Sequence, residues 1–137
     1  METENKGNNM ESGFQINALL LLESDFSRIS NVQFGEKAKN DVNINTEVGV
    51  ENNLISVTET VTVVQRYEQE EQVKIKVKMV GVFQSIGHSQ LDDFEAFGRV
   101  NGAAIIFPYI REHITNLTIK AGIPAILLPP VNFTNNK

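Results

Sequence analysis

The stretch ISVTETVTVVQRYEQEEQVKIKVKMVGVF, residues 55–83, alternates apolar and polar side chains twice, with only the charged link RYEQEE between. A period of two puts every second side chain on one face, so each run reads as a half-buried strand and the link as a hairpin turn. Ile55, Val57, Val61 and Val63 oppose Ser56, Thr58, Thr60 and Thr62, a β-branched pattern suited to a pleated surface. Val73, Ile75, Val77 and Met79 oppose Lys74, Lys76 and Lys78 before Val80 and Val82 make both faces apolar. Two earlier segments alternate in the same way. In the first, Phe14, Ile16, Ala18, Leu20 and Leu22 share a face, with Leu19 and Leu21 on the other. In the second, Val42, Ile44, Val48 and Val50 oppose Asn43, Asn45 and Glu47. Strands in succession without intervening helices pair antiparallel. The expected fold class is α+β: a four-stranded antiparallel sheet, drawn as a meander, packed on a long helix interrupted by proline.

The period changes after residue 90. Asp92 or Asp93 offers a helix cap, Leu91, Phe94 and Phe97 open an apolar stripe, and Phe107, Ile110, Ile114, Leu117 and Ala121 continue it at helical spacing. Pro108 must kink this helix or start a second segment. Gly122 and Pro124 end it. Gly98, Gly102, Ala103 and Ala104 keep one side of the helix small, which predicts close approach of another backbone and makes them the candidate oligomer interface. The chain then runs through AGIPAILLPPVNF, where Pro124, Pro129 and Pro130 exclude regular structure from an apolar strap.

A chain of 137 residues is expected to form one domain, here 13–133, with a polar tail over 1–12 and a stub over 134–137. The net charge of −5 argues against nucleic acid as partner. There is no cysteine for disulfides or thiolate metal sites. The Asn-rich start lacks a signal-peptide core, and Leu19–Leu22 is far too short to span a membrane. A cytoplasmic protein is expected.

Little catalytic chemistry is visible. His88 lies in a loop and His113 beside Glu112 on the helix, neither with a spaced metal partner. Glu68, Glu70 and Glu71 read as a solvated hairpin tip, and alternating Lys74, Lys76 and Lys78 as an exposed strand face that opposes sheet-to-sheet aggregation. Asn116 and Asn132 open glycosylation tripeptides that matter only in secreted chains. No nucleophile, base and oxyanion donor come together, so neither an enzyme nor a metal or cofactor site is expected. What stands out is surplus apolar surface. The candidate groove for extended client segments comprises Leu19, Leu21, Val80 and Val82, with Ile126, Leu128, Val131 and Phe133 of a strap expected to run over the sheet's outer surface.

The last third resembles the SecB family of protein-export chaperones, on Ile106-Phe107-Pro108-Tyr109-Ile110-Arg111-Glu112, then Gly122-Ile123-Pro124, then Leu128-Pro129-Pro130-Val131-Asn132-Phe133. Fainter matches are Gly81-Val82-Phe83-Gln84-Ser85-Ile86 and Phe14-Gln15-Ile16. The resemblance implies a homotetramer, a dimer of dimers with helices sandwiched between sheets. It also implies an ATP-independent holdase for unfolded preproteins bound for the motor SecA. Family members continue past the strap into a second helix and often a basic zinc-binding tail, where this sequence has Thr134-Asn135-Asn136-Lys137. Where better-known members carry an acidic motor-docking residue, alignment places Lys76. These departures weigh against delivery to the motor and leave open a chaperone dedicated to a toxin–antitoxin pair or other single partner, or a scaffold subunit that inherited the fold.

Overall fold

The computed structural model describes residues 13–86 and 93–135. His88, Leu91 and Asp92, and the tail over 1–12, lie outside the described residues.

The alternating runs become the strands β1 (Phe14–Arg28), β2 (Ala38–Glu51), β3 (Leu54–Tyr67) and β4 (Glu70–Ser85). They form one antiparallel sheet in the order β1-β4-β3-β2. The two central strands follow their alternation closely. Ile55, Val57, Val61, Val63, Val73, Ile75 and Val77 are buried on the face the helix covers, while Ser56, Thr58, Thr60 and Thr62 point to the other side.

Only β2, β3 and β4 form a meander; β1 crosses over and joins the far side of β4. The crossing is fixed at the β3–β4 hairpin end. The Ile29 N–H donates to the Gln72 carbonyl at 3.0 Å. The buried Gln72 amide accepts from the Gln33 N–H at 2.6 Å and donates to the Gln33 carbonyl at 2.9 Å. One side chain thus satisfies both backbone groups of a loop residue, and Val32 is buried beside it.

β1 also departs from simple alternation. Its register against β4 shifts between Ile16 and Ala18 and again between Leu21 and Glu23. Each extra residue turns the following side chains to the opposite face. Phe14, ahead of both shifts, packs on the helix layer, with its ring stacked 4.0 Å from Phe97. Further along, Leu19 and Phe26 contact the core, and Leu20 pairs with Val80 on the open face.

The helix begins as expected at Asp93, whose carboxylate accepts from the Ala96 N–H at 3.0 Å. It runs as α1 (Phe94–Phe97), a wider π turn (Gly98–Gly102) and α2 (Ala103–Lys120). Pro108 sits inside α2 and does not divide it; the irregularity is the π turn upstream. At the far end Gly122 has φ 74°, the Gly122 N–H reaches the Ile119 carbonyl at 3.0 Å, and the Ile123 N–H reaches the Thr118 carbonyl at 3.3 Å. This pair of bonds is a Schellman stop, which needs the left-handed conformation glycine supplies.

The small residues serve the chain's own packing. A Cβ on Gly98 would lie 2.8 Å from Val48 Cγ1, and one on Gly102 2.8 Å from Val57 Cγ2. Both glycines let the helix descend onto β2 and β3, and Ala103 is buried with them. Of the four small residues expected at an oligomer interface, only Ala104 is exposed.

The strap does not cross the sheet's outer surface. It turns back along α2 on the helix side, where the Ile126 N–H donates to Thr118 Oγ1 at 3.1 Å and Thr115 Oγ1 donates to the Ile126 carbonyl at 2.9 Å. Ile126 and Leu128 are 3% and 5% exposed, and the Phe133 ring meets Phe107 edge-on at 5.8 Å. The prolines remove ladder donors, so the backbone takes its partners from two helix threonines instead.

Candidate functional site

The register of β1, β4 and β3 determines what the open face carries. Ala18 pairs with Val82 and Leu20 with Val80 across β1 and β4, while Val82 pairs with Ser56 and Leu54 with Gln84 across β4 and β3. Paired residues share a face. Ala18, Leu20, Leu54, Val80 and Val82 therefore form an apolar strip over one half of the open face, with Leu20 53% exposed. A shallow groove of about 270 Å³ runs beside it, lined by Leu54, Ser56 and Val82 with Gly49 and Glu51 of β2. The other half is polar: Thr60, Thr62 and the three lysines of β4 face Glu23 and Asp25 of β1, with Lys76 Nζ 3.5 Å from a Glu23 carboxylate oxygen.

On the opposite side of the molecule, α2 turns a second apolar surface to solvent. Ile105, Tyr109, Glu112, Asn116 and Ile119 recur at spacings of four and three, and all are exposed. Such a stripe seats against another helix. Its middle is a hydrogen-bonded Asn116–Glu112 pair, and its ends are aliphatic or aromatic. Leu127 of the strap, 74% exposed, stands beside it over a cleft of about 410 Å³ bounded by Pro108, Arg111 and Thr115.

The residues expected to line one groove are thus divided among three places. Val80 and Val82 lie on the open face, Leu19 and Leu21 on the helix side of β1 by register, and Ile126, Leu128, Val131 and Phe133 in the helix layer. Ala18, Leu20 and Leu54 take the vacated positions. No local signal reveals this, because the bulges that turn β1 follow from its pairing with a strand some sixty residues away.

His113 Nε2 lies 2.9 Å from Ser24 Oγ, tying α2 to β1. No third group orients this pair for catalysis among the described hydrogen bonds, and no cluster of metal-ligating side chains occurs among the described residues. Arg28 donates to the carbonyls of Ala121 and Ser30, placing positive charge where the helix dipole is negative. Glu59 is different in kind. It occupies the middle of the β3 core face, fully buried, with neither carboxylate oxygen hydrogen-bonded, and burial pushes its pKa up to about 8. No described helix is long and apolar enough to cross a membrane.

The chain is 33% identical over 101 residues to an uncharacterized protein of Methanocaldococcus jannaschii, covering 71% of this chain and 64% of that one. It is 34% identical over 89 residues to the protein-export protein SecB of Methylobacillus flagellatus, covering 65% and 56%. The corresponding protein of Nitrosomonas europaea is 36% identical over 86 residues, covering 61% and 53%. The chain thus spans between about half and two thirds of the length of these curated relatives. Its fold matches that of a SecB-like chaperone of Mycobacterium tuberculosis, solved with a ChAD peptide from the HigA1 antitoxin. The TM-score is 0.75 and the identity 16%, over 96% of this chain and all of that one. The family model described as preprotein translocase subunit SecB matches residues 8–135, so the chain belongs to the SecB family.

Proposed function

We propose that this chain is an ATP-independent holdase that keeps client polypeptides from aggregating by binding their extended apolar segments, with residues 13–133 acting as one unit in the cytoplasm. The observation that carries this reading is the strip of Ala18, Leu20, Leu54, Val80 and Val82, which crosses three strands with neither helix nor strap over it. An exposed apolar patch rimmed by polar residues marks a surface built for association. The polar rim here is the threonines and lysines of β3 and β4. The export proteins among the relatives point to unfolded preproteins as clients.

Holding a client at about 1 μM needs roughly −8 kcal/mol. At ~25 cal/mol per Å2 that asks for more than roughly 330 Å2 of apolar burial before the cost of ordering the client. Several strips on one assembly, engaging one long client, lower the demand on each through effective concentration. The outward stripe of α2 supplies one means of assembly: Ile105, Tyr109 and Ile119 would pack against the same stripe of a second copy, with helices inside and strips outside, and a second contact between two such pairs would complete a homotetramer. Delivery to SecA is the weakest part of this reading, because Lys76, 3.5 Å from the Glu23 carboxylate, stands where better-known members carry an acidic docking residue.

A dedicated client is the second reading, and the antitoxin peptide held by the Mycobacterium tuberculosis protein favours it. Aggregation of a heat-unfolded model enzyme, followed by light scattering with and without the chain, separates the two. A general holdase suppresses scattering, and Leu20→Asp weakens that at least about fivefold without moving the chain's own melting temperature. A dedicated chaperone or scaffold leaves scattering unchanged and retains one stoichiometric partner in a pull-down. Suppression unaffected by Leu20→Asp would remove the strip from the mechanism.

A further inference from the structure

The core face of β3 reads Ile55, Val57, Glu59, Val61, Val63, and all five are wholly shielded from water. An ionised carboxylate cannot remain there unpaired, since burial without compensating bonds costs far more than protonation. The groups facing Glu59 give no compensation. Its cross-strand neighbours are Thr46 of β2 and Met79 of β4. The cation that comes to this part of β2 from the helix layer is Arg99, and its guanidinium is already engaged by the Thr46 carbonyl at 3.2 Å and the Glu95 carboxylate at 2.8 Å. Among the described residues, no donor reaches either Glu59 oxygen.

The layer above this face is the helix with its strap. The π turn makes its two tightest approaches at Val48 of β2 and at Val57, which lies two residues before Glu59 on the same face. Lifting that layer would bring water to the carboxyl. We propose that Glu59 is a proton-operated latch: neutral, it lets the helix–strap layer close on the sheet, and its ionisation draws water beneath that layer and opens it. Nothing in the holdase reading requires this, and the latch stands or falls independently of it.

The sign follows from linkage. The closed state holds the proton up to about pH 8, while an opened, solvated Glu59 releases it near 4.5. Opening is therefore least favoured below pH 4.5 and gains approaching tenfold per pH unit between the two values, levelling above pH 8.

The direct test is a carbon-13 titration of the Glu59 carboxyl in the unaltered chain. A midpoint between about 7 and 9 is expected, and one below 6 overturns the latch. The second measurement is alkylation of the sole thiol in an Ala103→Cys chain, buried in the helix layer, corrected for thiol ionisation and taken at fixed protomer concentration. Labelling should accelerate by more than about thirtyfold from pH 5.5 to 7.5 when Glu59 is present. Glu59→Gln, and independently Glu59→Met, should abolish that excess while hydrogen exchange at the strand amides of β3 and β4 changes little. Variants that open with the native pH dependence would show that another group carries the effect, and the latch fails.

Discussion

Leu19–Leu22 near the start and Ala125–Leu128 near the end are both four-residue aliphatic runs, and most of their large side chains finish in different surroundings. The first lies on an edge strand with a hydrogen-bonded neighbour only at β4, and Leu20, Leu21 and Leu22 remain half exposed. The second lacks a ladder altogether, yet Ile126 and Leu128 are among the most buried residues of the chain. Hydropathy does not separate them. The backbone partners do: Thr115 Oγ1 donates to the Ile126 carbonyl and Thr118 Oγ1 accepts from its N–H, and so they hold the later run against the helix. The lesson is that a greasy segment is structural where its peptide groups are anchored on a covered side, and available where they are not.

Substitutions can break this contrast. Ile126→Asp should cost about 4 kcal/mol in urea unfolding, since it buries an unpaired charge in the core, whereas Leu20→Asp should cost less than about 0.5 kcal/mol. Similar losses at the two sites would mean that the open face is load-sharing with the core. Ile119→Asp, on the outward stripe, should weaken self-association by more than about tenfold in sedimentation equilibrium while leaving the protomer's circular dichroism intact. Thr118→Val preserves shape and removes the strap's anchor, for a loss of about 1 kcal/mol and faster exchange at the Ile126 amide. Lys76→Ala, which removes an exposed ion pair, should fall within about 0.5 kcal/mol of the unaltered chain.

Much of the scaffold was readable from single residues. The alternation of β3 and β4, the cap at Asp93 and the stop at Gly122 are local, and each depends on a period or on one residue's conformational preference. What was not readable depends on distant partners. The face of Leu19 and Leu20 is decided by bulges against β4. Gly98 and Gly102 read equally well as a contact with another helix or with a sheet, and only the position of Val48 and Val57 beneath them decides. The strap does carry a local signal: Ile126 and Leu128 alternate with exposed Leu127, while Thr115 and Thr118 stand one turn apart on the helix that precedes them. Glu59 was also visible as a charge at a position where its strand demands an apolar residue. The client strip was half legible, since Val80 and Val82 announced themselves and their partners on β1 did not.

The crossover held by Gln72 has a consequence for how the molecule is made. β1 is synthesised first but finds its neighbour in the last strand, so Leu19–Leu22 emerge from the ribosome with nothing to pair with until residues 73–85 have followed. β2, β3 and β4 can zip locally meanwhile. A chain proposed to guard unfinished polypeptides therefore passes through the same vulnerable interval during its own birth, with its stickiest ribbon waiting longest.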